Sequence, residues 1–134
     1  MLLRKTLSLL GVGSAKIDLV LEKETYAPGE KVSGYFFLKG GTVDQTIKGI
    51  HCDLIMVDTD TEQETVVDTK TILTSKEIQA NQEEKLSFTF TIPEDSERSK
   101  KNRYYYFKSK LVFQEGMESK DHDIIHLKPS LKDN

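Results

Sequence analysis

Apolar and polar residues alternate along most of the chain, which is typical of half-buried β-strands and not of helices. The alternation recurs in seven segments, which span residues 15–22, 32–39, 46–57, 65–78, 86–92, 105–113 and 121–128. No stretch of ten or more residues carries the apolar stripe of a helix. Because turn signals separate the segments, the pattern predicts an all-β fold, a β-sandwich of about seven or more antiparallel strands.

Glycine and proline mark the turns between these segments. Pro28 and Gly29 form a typical turn pair, since proline presets a negative φ and glycine supplies the positive φ that follows. Gly40 and Gly41 mark another break between strands. Neither an internal repeat nor a linker is visible, so we expect residues 1–134 to form one domain.

The N-terminal residues have the outline of a signal peptide, with a basic start and a short apolar stretch. Ser8, Gly11 and Gly13 interrupt that stretch, and Lys16 follows it at once. We therefore interpret residues 1–14 as an N-terminal turn or edge segment of the domain. Its apolar side chains are expected to pack on the domain, and they are Leu3, Leu7 and Leu10.

The composition is that of a globular protein and excludes several classes of protein and site. Hydrophobic residues make up 37% and charged residues 31% of the 134 residues, which is typical of a folded domain. The longest uncharged run, at 6–15, is shorter than the ~20 residues of a membrane-spanning helix. A net charge of −3 argues against nucleic acid or an anionic membrane as the partner of the whole surface. One cysteine and three histidines allow no disulfide within the chain and little material for zinc, so we expect no metal and no cofactor.

Five stretches of the sequence, in this order, carry a resemblance to one protein family. They are Gly-Val-Gly-Ser-Ala-Lys-Ile-Asp at 11–18, Tyr-Ala-Pro-Gly-Glu-Lys-Val-Ser-Gly at 26–34, Lys-Gly-Gly at 39–41, Phe-Thr-Phe-Thr-Ile-Pro at 88–93 and Lys-Asp-His-Asp-Ile-Ile at 120–125. The Pro-Gly-Glu turn and the Phe-x-Phe-x-Ile-Pro ending recur across arrestin-like domains generally. In their order and spacing over about 115 residues, they resemble the N-terminal arrestin-like domain of bacterial sporulation-control proteins, the stage-zero M family.

The resemblance implies an immunoglobulin-like β-sandwich with a cytoplasmic regulatory or scaffolding role and no catalytic residues. It also implies a pathway, the control of sporulation or of cell-envelope stress. Members of the family usually continue into a second arrestin-like domain, which we expect to be absent because this chain stops at Asn134. A lone half of a two-domain architecture leaves surface uncovered, so self-association into a homo-oligomer stays open.

The most unusual feature is a segment at 98–110, in which basic residues surround four consecutive aromatic residues. On a strand, Tyr105 and Phe107 point to one face while Tyr104 and Tyr106 point to the other, so the first pair is predicted to enter the core. The remainder is the candidate partner-binding site, and it comprises Arg98, Lys100, Lys101, Arg103, Tyr104, Tyr106 and Lys108. Rings with cations suit an acidic protein surface, single-stranded nucleic acid or anionic lipid headgroups. A solvated basic loop beside two surface tyrosines is the simpler interpretation.

Acidic residues are concentrated at 58–64, which we interpret as an exposed hairpin tip. The segment lacks the central glycine and terminal glutamate of an EF-hand calcium loop. Together with the basic segment it would make the molecule bipolar, which favours head-to-tail association of copies.

Aspartate and histidine alternate near the C-terminus and resemble a metal site at first sight. Asp121 and Asp123 face away from His122 on a strand, and His126 lies ~13 Å from His122 at ~3.3 Å per residue. A metal would therefore need ligands from another strand. A polar strand edge is the preferred interpretation.

No catalytic centre is evident in the sequence. Cys52 follows His51, but adjacent residues on a strand face opposite sides, so His51 cannot activate the thiol. Cys52 shares its face with the apolar residues Ile50, Leu54 and Met56 and is therefore predicted to be a buried, inert thiol. We predict a non-enzymatic protein that binds a protein partner of unknown identity through loops or a free sheet edge, without nucleic acid and without integral membrane association. The alternative is a carbohydrate- or small-ligand-binding sandwich that uses the exposed tyrosines, although sugar-binding faces favour tryptophan, which the chain lacks.

Overall fold

Eight β-strands form the regular structure of residues 13–129. The computed structural model describes residues 13–129. The strands are β1 (Lys16–Leu21), β2 (Thr25–Tyr26), β3 (Lys31–Lys39), β4 (Gln45–Asp58), β5 (Gln63–Ile78), β6 (Glu83–Thr91), β7 (Arg103–Phe113) and β8 (Glu118–Leu127). Within these described residues there is no helix long and apolar enough to span a membrane. The packing predicted for Leu3, Leu7 and Leu10 lies outside the described residues.

The strands are arranged in two sheets. One sheet has three strands in the order β1-β3-β6, and the other has five in the order β2-β8-β7-β4-β5. Every neighbouring pair is antiparallel except β2 and β8, which are parallel. The predicted all-β sandwich is therefore confirmed. Each predicted segment corresponds to one strand, and only β2, with two residues, is too short to show alternation.

Aromatic rings join the two sheets at the centre of the sandwich. Phe88 of β6 meets Phe107 of β7 edge to face, with 5.7 Å between ring centroids, and Phe90 meets the same ring at 5.2 Å. Phe36 of β3 contacts Phe88 in similar geometry at 5.0 Å. All four rings are buried, as the alternation predicts. Pairs in this geometry stabilise the fold by ~0.5–1.5 kcal/mol beyond the burial of their area.

The predicted turn between β2 and β3 is present and is fixed to the end of β6. Gly29 has a φ of 84°, and the N–H of Glu30 donates to the carbonyl oxygen of Ala27 at 3.1 Å. Pro28 precedes this glycine, so the geometry is that of a type II turn. The N–H of Gly29 donates to the carbonyl oxygen of Ile92 at 2.8 Å, which holds the turn against the three-stranded sheet.

A β-bulge in β4 lets two of its isoleucines reach the same core. The pairing of β4 with β7 shifts between Ile47 and Gly49, where Lys48 is the extra residue. Against β5 the extra residue is on β5, where two residues, Thr74 and Ser75, lie opposite Lys48. Strict alternation would place Ile47 and Ile50, which are three positions apart, on opposite faces of the strand. The bulge instead allows both to be buried. A Cβ at Gly49 would lie 2.9 Å from the carbonyl oxygen of Ile72, so glycine is needed where the strands approach closely.

Side chains, rather than strand pairs, close the two sides of the sandwich. On one side, the N–H of Leu19 in β1 donates to the Asp121 carboxylate of β8 at 2.8 Å. On the other side, the Lys70 ammonium of β5 donates to the carbonyl oxygen of Thr89 in β6 at 2.5 Å. These bonds satisfy backbone groups of edge strands that would otherwise be available to another chain.

The ring cluster predicts a large stability difference between the two faces of β6. Phe88→Ala should lower the free energy of unfolding by ~3–5 kcal/mol, because it removes a buried ring that touches three others. Ser87→Ala, on the exposed face of the same strand, should change it by less than ~0.5 kcal/mol. Urea unfolding of both variants measures the difference, and equal losses would contradict the assignment of Phe88 to the inter-sheet core.

Candidate functional site

The basic turn, which we define as residues 98–102, is fixed to the end of β8 and to the start of β7. The N–H of Ser99 donates to the carbonyl oxygen of Leu127 at 2.8 Å, and the N–H of Leu127 donates to the Ser99 hydroxyl at 2.9 Å. Lys100 and Arg103 exchange two backbone hydrogen bonds of 3.0 Å. The exposed cations of this turn make no ion pair within residues 13–129, and they are Arg98, Lys100 and Lys101.

Arg103 differs from these cations because its side chain holds the preceding loop in place. Its guanidinium lies 2.8 Å from the Glu97 carboxylate and donates to the carbonyl oxygen of Arg98 at 3.2 Å. The Tyr105 hydroxyl donates to the carbonyl oxygen of Glu97 at 2.6 Å, so two side chains fix the same loop. With only 18% of its side chain exposed, Arg103 acts chiefly to position the basic turn.

The four aromatic residues of β7 alternate as predicted, but one of the two outward tyrosines is covered. Tyr105 and Phe107 lie in the core, and Tyr104 is 37% exposed. The expectation that Tyr106 is a surface tyrosine is wrong, since it is 6% exposed. Its cross-strand neighbour Ile55 packs against it, and periodicity along one strand does not reveal which side chain lies on the next strand.

Hydrogen bonding and ring contacts also hold Tyr106 in place. Its hydroxyl donates to the Glu64 carboxylate at 2.8 Å, and its ring centroid lies 5.0 Å from that of His122. Burial, together with this hydrogen bond to a carboxylate, raises the pKa of Tyr106 to about 12. The rings of Tyr104 and Tyr106 are inclined by 34°, so they form no flat platform for a sugar.

Tyr106 belongs to an apolar patch on the outer face of the five-stranded sheet. Register places Val66, Ile55, Tyr106 and Ile124 directly opposite one another on β5, β4, β7 and β8. Val66 is 56% and Ile124 68% exposed, whereas the two central side chains are buried. The outer patch consists of this row with two residues of the adjacent row, and its members are Ile55, Val57, Val66, Tyr104, Tyr106 and Ile124.

The acidic hairpin tip lies beside the basic turn. The acidic tip consists of Asp58, Asp60, Glu62 and Glu64. The Asn102 amide donates to the Asp60 carboxylate at 2.7 Å, and the N–H of Thr59 donates to the carbonyl oxygen of Asn102 at 3.0 Å. The prediction of a bipolar molecule is therefore wrong, because the antiparallel pairing of β4 with β7 brings both charged segments to the same end of the five-stranded sheet.

Beside the basic turn is a groove of about 290 Å³. Lys100 and Tyr104 line one part of it, and Ile124 and His126 of β8 line another. It is the place where an extended side chain of a partner would contact cation, ring and apolar surface together.

A carboxylate cluster lies where β1 meets β8. Asp18 of β1 supplies the ligand from another strand that a metal would need, and its carboxylate oxygens lie within 4.8 Å of those of Asp121 and Asp123. His122 and His126 face the opposite side of β8, as predicted. The sequence does not reveal Asp18 as a member, because strand periodicity carries no information on contacts between sheets.

Close approach of these carboxylates changes their ionisation. The pKa of Asp123 is raised to about 8, chiefly by burial and further by the hydrogen bond to Asp121 and the negative charge of Asp121. Burial and the same neighbour raise the pKa of Asp18. Carboxylates are the ligands that hard cations prefer, but a cluster of this kind is also satisfied by a retained proton.

Cys52 is a buried thiol, as predicted. It is 1% exposed, and the Ser109 hydroxyl lies 3.6 Å from its sulfur. Burial raises the pKa of the Cys52 thiol to about 12, so the nucleophilic thiolate is scarce. His51 faces the other side of the sheet, with a ring nitrogen 3.2 Å from the Thr71 hydroxyl.

Comparison with known proteins relates the whole described sandwich to one family. Residues 3–133 match the model of the family described as SpoOM protein. The sporulation-control protein spo0M of Bacillus subtilis (strain 168) is 33% identical over 128 residues, which are 91% of this chain and 50% of the relative. The crystal structure of Spo0M from Bacillus subtilis matches with a TM-score of 0.79 and 32% identity, covering 87% of this chain and 50% of that chain. The chain thus spans about half the length of these relatives.

The carboxylate cluster predicts a loss of stability as the pH rises. The pKa of Asp123 is about 8 in the folded protein, whereas the ordinary value for an aspartate is 3.8. The proton that folding retains therefore stabilises the protein fully below pH 3.8, and this contribution is lost as the pH rises through about 8. Asp123→Asn removes this loss. At about pH 9 the free energy of unfolding of the variant should therefore exceed that of the wild type.

Urea unfolding across this pH range provides the measurement. Asp95→Asn is the matched control, because Asp95 is exposed and lies outside the cluster. Parallel pH profiles for wild type and Asp123→Asn would show that Asp123 does not carry the effect.

Proposed function

The chain belongs to the SpoOM protein family, and we propose that it is a regulatory protein of sporulation that acts without catalysis, by binding another protein. The name of the Bacillus subtilis relative, of which this chain matches half, supports the sporulation role. The cytoplasmic setting implied by the resemblance remains a prediction.

One observation carries the binding proposal. The cations of Arg98, Lys100 and Lys101 are exposed without ion pairs in the described part of the chain, on a turn that backbone hydrogen bonds hold rigid. A rigid turn loses little conformational entropy on binding, so more of the contact free energy remains as affinity. Unpaired cations on such a turn favour a partner with carboxylates at a complementary spacing.

Tyr104 adds an amphipathic ring to this surface. It is partly exposed beside Lys100 in the groove, and Ile124 provides apolar surface next to it. Tyrosine and arginine are enriched at the centres of protein interfaces, where a ring supplies contact area and the hydroxyl supplies a hydrogen bond. We therefore expect the partner to present an acidic surface with an apolar side chain near its centre.

The chemistry of the described side chains supports a role without catalysis. The thiol of Cys52 is buried and protonated, and His51 faces away from it. Tyr106, whose pKa is raised, is a buried member of the outer patch, and its hydroxyl donates a hydrogen bond to the Glu64 carboxylate. Both groups therefore serve packing rather than attack on a substrate.

Affinity capture with two charge-reversed variants tests the binding surface. Arg98→Glu, Lys100→Glu and Lys101→Glu together should reduce partner capture from a lysate of the source organism by at least about tenfold, or ~1.4 kcal/mol. Arg103 is left intact because its loss would release the loop. The matched control reverses three exposed lysines elsewhere, Lys16, Lys48 and Lys120, and changes the net charge by the same amount.

Equal capture by the two triple variants, both with an unchanged thermal melt, would place the binding surface elsewhere. The sporulation role is tested separately, by counting heat-resistant spores after deletion of the gene. An unchanged spore count would contradict that role and leave the capture result standing.

A further inference from the structure

The outer patch combines exposed apolar surface with opposite charges on its two sides. Its row of four side chains ends in Val66 on β5 and Ile124 on β8, both of which face solvent. The acidic tip adjoins the β4–β5 side of the patch, and the basic turn adjoins the β7–β8 side. A surface with this arrangement is complementary to itself after rotation by half a turn.

One two-fold axis makes all parts of the surface match. We propose that the outer patch docks a second copy of this chain, face to face, about an axis that lies parallel to the strands between β4 and β7. This rotation places Val66 over Ile124 of the second copy and Ile55 over Tyr106 of the second copy. It also places the acidic tip over the basic turn of the other copy.

The next row of side chains supports the same axis. Asp53 of β4 and Lys108 of β7 lie directly opposite in register. The two-fold rotation exchanges their positions, so each Asp53 meets Lys108 of the other copy. An axis perpendicular to the strands would instead carry the charged end of one copy to the far end of the other, where neither charged segment finds its complement.

Such a dimer agrees with the physics of stable interfaces. Its centre is apolar and aromatic, and its charged groups form the rim, as in specific protein interfaces. Strands of the two facing sheets run in nearly the same direction, which is the aligned mode of sheet packing. The inference does not rest on the proposed binding of a partner, since purified protein alone reports on self-association.

Engineered disulfide cross-linking tests the predicted contact directly. The variant carries Val66→Cys and Ile124→Cys. Within one chain these positions are three strand spacings apart, ~14 Å, whereas a disulfide needs Cα atoms within ~7 Å. A bond between them therefore joins two copies. Cys52 does not interfere because it is 1% exposed.

The matched control pairs Leu73→Cys with Ile124→Cys. Leu73 is 77% exposed on the same strand as Val66 but lies outside the outer patch. Mild oxidation should convert the Val66–Ile124 pair to a covalent dimer and leave the control pair monomeric. Equal dimer yields in the two variants would overturn the proposal.

Charge exchange across the rim gives a second, independent measurement by sedimentation equilibrium. Glu62→Lys and Lys101→Glu should each weaken the dimer by about tenfold, since like charges then face each other at both contacts. The double variant should restore the wild-type dissociation constant. A wild-type protein that remains monomeric up to ~1 mM, or a double variant no stronger than the single ones, would overturn the proposal.

Discussion

The register between β4 and β7 is the constraint on which the rest of this molecule depends. It sets Leu54 opposite Phe107 and thereby directs that ring into contact with Phe88 of the other sheet. The same register sets Ile55 opposite Tyr106 on the outer face. A slip of one residue would exchange the two faces of the strand, exposing the core rings and burying lysines, so packing on both sides holds the register in place.

Alternation along the chain was sufficient to predict the fold class and the direction of most side chains. The inward faces of Tyr105 and Phe107 and the burial of Cys52 follow from a period of two alone. Contacts between strands far apart in sequence could not be predicted in this way. The cover on Tyr106 comes from β4, and the third carboxylate beside Asp121 comes from β1, because strand order is a property of the whole chain.

Charged side chains seal both edges of the three-stranded sheet. Asp121 accepts a hydrogen bond from the backbone of β1, which seals one side, but it also brings its charge close to Asp123. Lys70 seals the opposite side by donating to the carbonyl oxygen of Thr89 in β6. The two sides therefore solve the same problem of unpaired backbone groups with side chains of opposite charge.

The adjacency of the acidic tip and the basic turn has a consequence for the electric field of the molecule. Asn102 links the two segments directly, through Asp60 and Thr59. Charges of opposite sign so close together cancel at distances beyond the Debye length, ~8 Å in physiological salt. Molecules approaching from further away experience little attraction from this end of the sheet. Discrimination between binding partners thus takes place at contact, where each charge of the acidic tip or the basic turn meets its own counterpart on the partner.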